Sequence, residues 1–194
     1  MMYSKNYVCI TGASSGIGLE TAKAFASLEN NLILVARRQE RLEKLKEELL
    51  LSFPKLDIVV KSVDLSISEN AFKLYQELKS YQILTWINNA GFGIFKEFTE
   101  LTDGEITEQF VINTLMPIQL TRLLEPKVQL INIASIAGKL PTGKSSIYAA
   151  SKAALITFSD ALRMENPQLI VTTVNTGPVK TKFHKDNGDY LEKV

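Results

Sequence analysis

Cysteine and histidine are nearly absent: Cys9 and His184 stand alone in 194 residues. A resident transition metal usually takes three or four such ligands, so no metal site is expected. Cys9 sits among Tyr7, Val8 and Ile10 and reads as a small buried hydrophobe, which suits a reducing cytoplasm. Long hydrophobic runs are also lacking, and none approaches the ~20 residues that cross a bilayer. The N-terminus shows no basic region followed by an apolar core and a small-residue cleavage site. A soluble, cytoplasmic protein without membrane contact is expected. Charge of one sign is missing too, since 22 Lys and Arg stand against 21 Asp and Glu. No global field is available to hold a phosphate backbone, and nucleic acid is not an expected partner.

What is present is 45% hydrophobic residues in a chain whose length fits one compact domain, expected over 1–194. Short apolar, β-branched runs alternate with longer amphipathic stretches, the pattern of strand-helix-strand units around a parallel sheet. The strand candidates are Tyr7–Thr11, Asn31–Ala36, Asp57–Ser62, Leu84–Asn88, Gln129–Ala134 and Leu169–Val174. Helices are expected after Gly16, Arg38, Ser66, Thr102 and Ser145. Leu42, Leu45 and Leu49 form an apolar stripe on the second of these, opposite a charged face. Ser66 with Glu69, and Thr102 with Glu105, have capping-box spacing. The fold class predicted is α/β: a Rossmann-type doubly wound parallel sheet with helices on both faces.

The first strand runs into Thr11-Gly12-Ala13-Ser14-Ser15-Gly16-Ile17-Gly18. A pyrophosphate needs a backbone that turns tightly at a helix N-terminus, where main-chain N–H groups and a partial positive charge meet it. Gly12, Gly16 and Gly18 permit such a turn, and the hydroxyls of Ser14 and Ser15 add donors. A tight turn without a ligand would use the same glycines, but the first strand-helix junction of a doubly wound sheet is where dinucleotides bind. The second strand ends in Arg37 and Arg38 with no preceding acid. An acid there would accept from a ribose 2′-hydroxyl, whereas arginine matches a 2′-phosphate, so NADP(H) is favoured over NAD(H). Two surface charges opening a charged helix are the plainer reading of the same pair.

Tyr148 and Lys152 are four apart at the start of a helix, so their side chains share a face. An adjacent ammonium stabilises phenolate and lowers the tyrosine pKa, which makes the phenol a usable acid/base. Ser135 follows a strand at the carboxyl end, where open α/β sheets place ligands. Taken alone, a tyrosine packed on a helix with a lysine one turn away is common.

Together these residues resemble the short-chain dehydrogenase/reductase (SDR) family from Tyr7 to Thr181. Thr11 to Gly18 is similar to its cofactor turn, Asn88-Asn89-Ala90-Gly91 to its motif after the fourth strand, and Tyr148 to Lys152 to its active-site signature. Ser135 stands thirteen positions before Tyr148, as the family's catalytic serine does. The resemblance implies four catalytic roles. Tyr148 is the acid/base, Ser135 orients the reacting oxygen, Lys152 binds nicotinamide-ribose hydroxyls, and mid-helix Asn113 holds a water linking the lysine to solvent. It further implies Ile17 in the cofactor turn, Asp64 and Leu65 against adenine, Asn89, Ala90 and Gly91 along the adenine-side ribose and phosphates, and Gly177 and Thr181 near the nicotinamide carboxamide. A small-molecule carbonyl or alcohol as substrate and a homodimer or homotetramer follow from the same resemblance.

Two departures stand out. Thr176 occupies a position where the family usually has proline. Family members also continue through a substrate loop, a further helix and a seventh strand, whereas this sequence reaches Val194, and Glu125–Lys127 is a short connection. A substrate lid and last strand lying outside these residues are the expectation. The expected function is hydride transfer between NADP(H) and a carbonyl or secondary alcohol. Its rivals are a non-catalytic NADP(H)-binding sensor or scaffold of the same fold, and an epimerase or dehydratase, which the Tyr148-to-Lys152 form disfavours.

Overall fold

The computed structural model describes residues 5–125 and 127–179. Six strands form one sheet: β1 (Asn6–Thr11), β2 (Asn31–Ala36), β3 (Ile58–Ser62), β4 (Gln82–Asn88), β5 (Gln129–Ser135) and β6 (Ile170–Thr176). Their order is β3-β2-β1-β4-β5-β6, and every neighbouring pair is parallel. The helices are α1 (Gly16–Ser27), α2 (Gln39–Ser52), α3 (Asn70–Leu78), α4 (Asp103–Phe110), α5 (Met116–Arg122) and α6 (Ser146–Glu165). This is the doubly wound α/β fold, with strand order reversing between β1 and β4. A crevice forms there, outside the carboxyl ends of the strands.

Alternation along the strands builds two apolar layers. Val8 and Ile10 of β1 and Leu32 and Leu34 of β2 face one side, where Ala22 and Ala26 of α1 and Leu42, Leu45 and Leu49 of α2 cover them. Tyr7, Cys9, Ile33 and Val35 face the other, against Leu74 and Leu78 of α3 and Met116 and Leu120 of α5. Leu42 is fully buried, so truncating it to alanine should cost about 2–5 kcal/mol.

Element boundaries differ from the sequence reading in three informative places. The expected helix start at Ser66 is wrong: α3 begins at Asn70, and its N-cap Glu69 makes no side-chain cap. The cause is Asp64, whose Oδ1 accepts from both the Ser66 N–H (2.9 Å) and hydroxyl (2.7 Å), an Asx turn that takes the capping donor away. At Thr102 the capping box forms in full. The single helix expected through Asn113 is interrupted by a π turn over Val111–Leu115. Pro117 has no N–H to close an α-turn onto the Asn113 carbonyl, and the ladder widens beside it, with the Met116 N–H on the Val111 carbonyl. β6 also runs two residues past the expected Val174, to Thr176 in register with Ser135. Thr176 has the N–H and the β-branched side chain that proline would lack, and its hydroxyl donates to the Ala134 carbonyl at 3.2 Å.

Candidate active site

A cleft of about 920 Å³ runs along the carboxyl ends of the strands. At one end lies the turn between β1 and α1. Gly12 has φ +70°, and a Cβ there would lie 2.8 Å from the Ala90 backbone, so no other residue fits. A Cβ at Gly18 would strike the Asn89 amide, which explains the glycine although Gly18 itself does not line the cleft. Asn89 fixes this junction by donating to the Thr11 carbonyl at 2.9 Å and the Gly12 carbonyl at 3.3 Å. The Thr11 hydroxyl accepts from the Asn89 and Ala90 N–H groups at 3.0 Å each. Ser14, Ser15, Gly16 and Ile17 face the cleft, and no side chain caps the first turn of α1, leaving its amides for an anion.

The two arginines are not equivalent. Arg38 donates to the hydroxyls of Ser14 and Ser15, 3.1 Å each, and so sits against the turn. Arg37 lies on the cleft rim, 3.9 Å from Glu108, with a side chain 61% exposed. Asp64 and Leu65 line the same end of the cleft. Burial pushes the Asp64 carboxyl up, but the Ser66 hydrogen bonds and the Arg37 charge outweigh it and leave its pKa below the usual range. Arg41, one turn after Arg38 on α2, also faces the cleft. Sequence reading missed it among many surface charges; its spacing from Arg38 was the available signal.

At the other end Ser135, Tyr148 and Lys152 come together, all buried. Ser135 closes β5, and its Oγ accepts from the Ala137 N–H at 3.2 Å. Burial raises the Tyr148 pKa above 10.0, and a hydrogen bond with Ser135 pulls it part of the way back. The Lys152 ammonium lies 6.0 Å from the Tyr148 ring centroid and donates to the Ile133 carbonyl at 2.9 Å. The ammonium is thus anchored to β5 beside the tyrosine. Burial brings its own pKa down to about 8. Asn113 is fully buried and does not line the cleft; it grips the Phe92 backbone, accepting from the N–H at 3.0 Å and donating to the carbonyl at 2.8 Å. Its amide also donates to the Ser151 hydroxyl at 3.0 Å. Gly177 lines the cleft beside Thr176. Thr181 and His184 lie outside the described residues.

A short chain dehydrogenase family model matches residues 6–191. The chain belongs to the short-chain dehydrogenase family. It is 34% identical over 197 residues to Dehydrogenase/reductase SDR family protein 7-like of Dictyostelium discoideum, covering 94% of this chain and 61% of that one. With Ketoacyl reductase HetN of Nostoc sp. it shares 34% over 189 residues, 93% of this chain and 64% of the relative. The chain thus spans less than two thirds of the length of these curated relatives. Among solved structures, a short-chain dehydrogenase from Sphingobium yanoikuyae in complex with NADPH superposes with a TM-score of 0.90 at 28% identity, covering 97% of this chain and 77% of that one. The bulky-bulky ketone specific alcohol dehydrogenase of Comamonas testosteroni gives 0.84 at 30% identity, covering 90% and 73%.

Buried amides, Asn88 of the motif among them, hold the site residues in place. Asn88 accepts from the Trp86 indole at 2.8 Å and donates to Asn132 at 2.8 Å, and Asn132 donates to the Ser159 hydroxyl at 2.8 Å. This chain of bonds ties β4 and β5 to α6, the helix that carries Tyr148. Gln109, equally buried, was not singled out in the sequence, because an amide within an amphipathic helix has no distinguishing pattern. Among the described residues no cluster of His, Cys, Asp and Glu could hold a metal ion, and no helix is long and apolar enough to cross a membrane.

Proposed function

We propose that this chain is an NADP(H)-dependent oxidoreductase acting on a small-molecule carbonyl or secondary alcohol. The observation that carries the reading is the convergence of Ser135, Tyr148 and Lys152 on one wall of a cleft whose far end is the glycine turn backed by Arg38. That end fits the cofactor: left-handed Gly12 leaves the backbone open, α1 presents its free amides, and Arg38 with the Ser14 and Ser15 hydroxyls suits a phosphate. NADP(H), when bound, supplies or accepts the hydride. Solved relatives described as complexes with NADPH and NADP support the phosphorylated form.

Tyr148 donates its phenolic proton to the carbonyl oxygen as the carbon is reduced, or removes it from the alcohol in reverse. Ser135 holds that oxygen in place by a hydrogen bond. Lys152, tethered to the Ile133 carbonyl, keeps a cation beside the nicotinamide-ribose position and favours the phenolate as it forms. Asn113 sits next to the lysine, where a water held there would pass protons outward. Gly91 marks the junction, since a Cβ there would fall 2.8 Å from the Asn113 amide oxygen and 3.2 Å from the Lys152 ammonium. A homodimer or homotetramer in the cytoplasm belongs to the same reading.

NADPH oxidation against a panel of aldehydes, ketones and diketones tests it, with Tyr148→Phe as control. The variant is expected to lose ~10²–10⁴-fold in kcat. Equal turnover by parent and variant would remove Tyr148 as the acid/base.

A further inference from the structure

The segment from Gly91 to Lys96 crosses the catalytic end of the cleft, and its residues alternate in what they touch. Phe92, Ile94 and Lys96 are tied to the helix beside them. Asn113 holds both backbone groups of Phe92, Gln109 accepts from the Ile94 N–H at 3.0 Å, and Glu105 pairs with the Lys96 ammonium at 2.6 Å. The intervening residues face the catalytic pair. A Cβ at Gly91 would lie 3.2 Å from Lys152 Nζ, one at Gly93 would lie 2.9 Å from the Tyr148 ring, and the Phe95 ring centroid is 5.5 Å from that of Tyr148.

The spacing explains why this works. Glu105, Gln109 and Asn113 are four residues apart, a rise of ~6 Å per step along a helix. Their partners are two residues apart, so three rungs hold the segment along the helix while Gly91, Gly93 and Phe95 face Lys152 and Tyr148. Gln109 is fully buried and uses both ends of its amide, its Nε2 donating to the Glu105 carbonyl at 3.3 Å.

We propose that this three-rung strap is the specificity wall of the active site, with Gln109 and the Lys96–Glu105 pair as positioning residues that set where Phe95 stands against Tyr148. Ile94 and Phe95 on the strap and Ile136 and Leu140 after β5 give the cleft an apolar lining beside the polar groups. The substrate class that fits is a carbonyl with a bulky apolar, preferably aromatic, substituent lying along Phe95. This rests on the oxidoreductase reading, but the strap itself can be tested without turnover.

Gln109→Met keeps the volume and removes the acceptor. Amide hydrogen exchange of the peptide spanning Ile94 should quicken at least ~10-fold in this variant, with the β1 and β5 amides unchanged. Protection equal to the parent's would overturn the strap. In steady-state assays with NADPH, kcat/KM for benzil relative to propanal should shift at least ~5-fold, chiefly through the KM for benzil. Equal losses for both substrates would show a merely structural role and overturn the specificity wall. Lys96→Met, whose side chain is half exposed, removes only the outer rung and keeps the test open if Gln109→Met fails to fold. It should shift the same ratio in the same direction, by less. Failure of the parent to oxidise NADPH with any carbonyl would defeat the oxidoreductase reading and the substrate class together, leaving the exchange result to decide the strap.

Discussion

The two ends of the cleft are built on different principles. The glycine-turn end is built on backbone: left-handed Gly12, the uncapped start of α1, and the Thr11 and Asn89 bonds that pin the junction. The tyrosine end is made of side chains held by other buried side chains, with Asn113, Gln109 and the Asn88–Asn132–Ser159 chain behind Tyr148 and Lys152. A backbone site depends on a few residue types at fixed spacing. A side-chain site depends on partners brought from distant segments. That difference decides both how each end fails and how visible it is beforehand.

Gly93→Ala should give the largest break after loss of the tyrosine itself. The new Cβ meets the Tyr148 ring at 2.9 Å, and the Phe95 ring stands 5.5 Å from that ring. We expect kcat to drop by ~10²-fold or more from displacement of the phenol, while NADPH affinity stays within ~3-fold. Titration of NADPH fluorescence beside a turnover assay separates the two.

The arginines sharpen the comparison at the other end. Arg38→Asp should weaken NADPH binding ~10-fold or more while affecting NADH little, because a charge-assisted phosphate contact is replaced by repulsion. Arg37→Asp, at the exposed rim, should do less. Calorimetry with both cofactors reads this, and the reverse ranking would assign the phosphate to Arg37.

Lys152 yields a stability prediction in the cofactor-free protein. Burial lowers its pKa from 10.5 to about 8, so the folded chain binds fewer protons than the unfolded chain between those values. Stability should therefore rise with pH across that window, and below it the buried charge costs up to about 3 kcal/mol. Lys152→Met should melt higher than the parent at pH 7, with the gap closing between pH 8 and 10.5. A gap independent of pH would mean that the ammonium is better solvated than its surroundings indicate. The smallest effect expected is at the strap's far support: Thr102→Ala removes the capping box at α4 and should cost about 1 kcal/mol in chemical denaturation.

The sheet and the glycine turn after β1 were legible in the sequence because both rest on local pattern. Parallel strands covered on both faces read as apolar runs, as in Leu32–Ala36, and the turn's glycines announce themselves by position. The helix start at Ser66 was misread because two side chains competed for one set of donors, and Asp64, two residues earlier, won. The break at Asn113 has its cause in Pro117, four residues on, a local signal carried by the sequence itself. Gln109 and Asn132 carried no signal at all: a buried amide earns its meaning from a partner on another element. Tyr148 and Lys152 were legible as a pair, whereas the anchor of the lysine was not, since the Ile133 carbonyl that accepts from it lies on β5.

Hydride transfer at the Tyr148 end of the cleft is the central claim, and isotope tracing tests it most directly. NADPH deuterated at C4 of the nicotinamide, prepared as each of its two stereoisomers, would be incubated with the protein and an aryl ketone such as benzil. The account predicts that one isomer alone delivers deuterium to the carbinol carbon, and that Tyr148→Phe abolishes the transfer. Deuterium appearing in product from neither isomer, or equally with Tyr148→Phe, would contradict it.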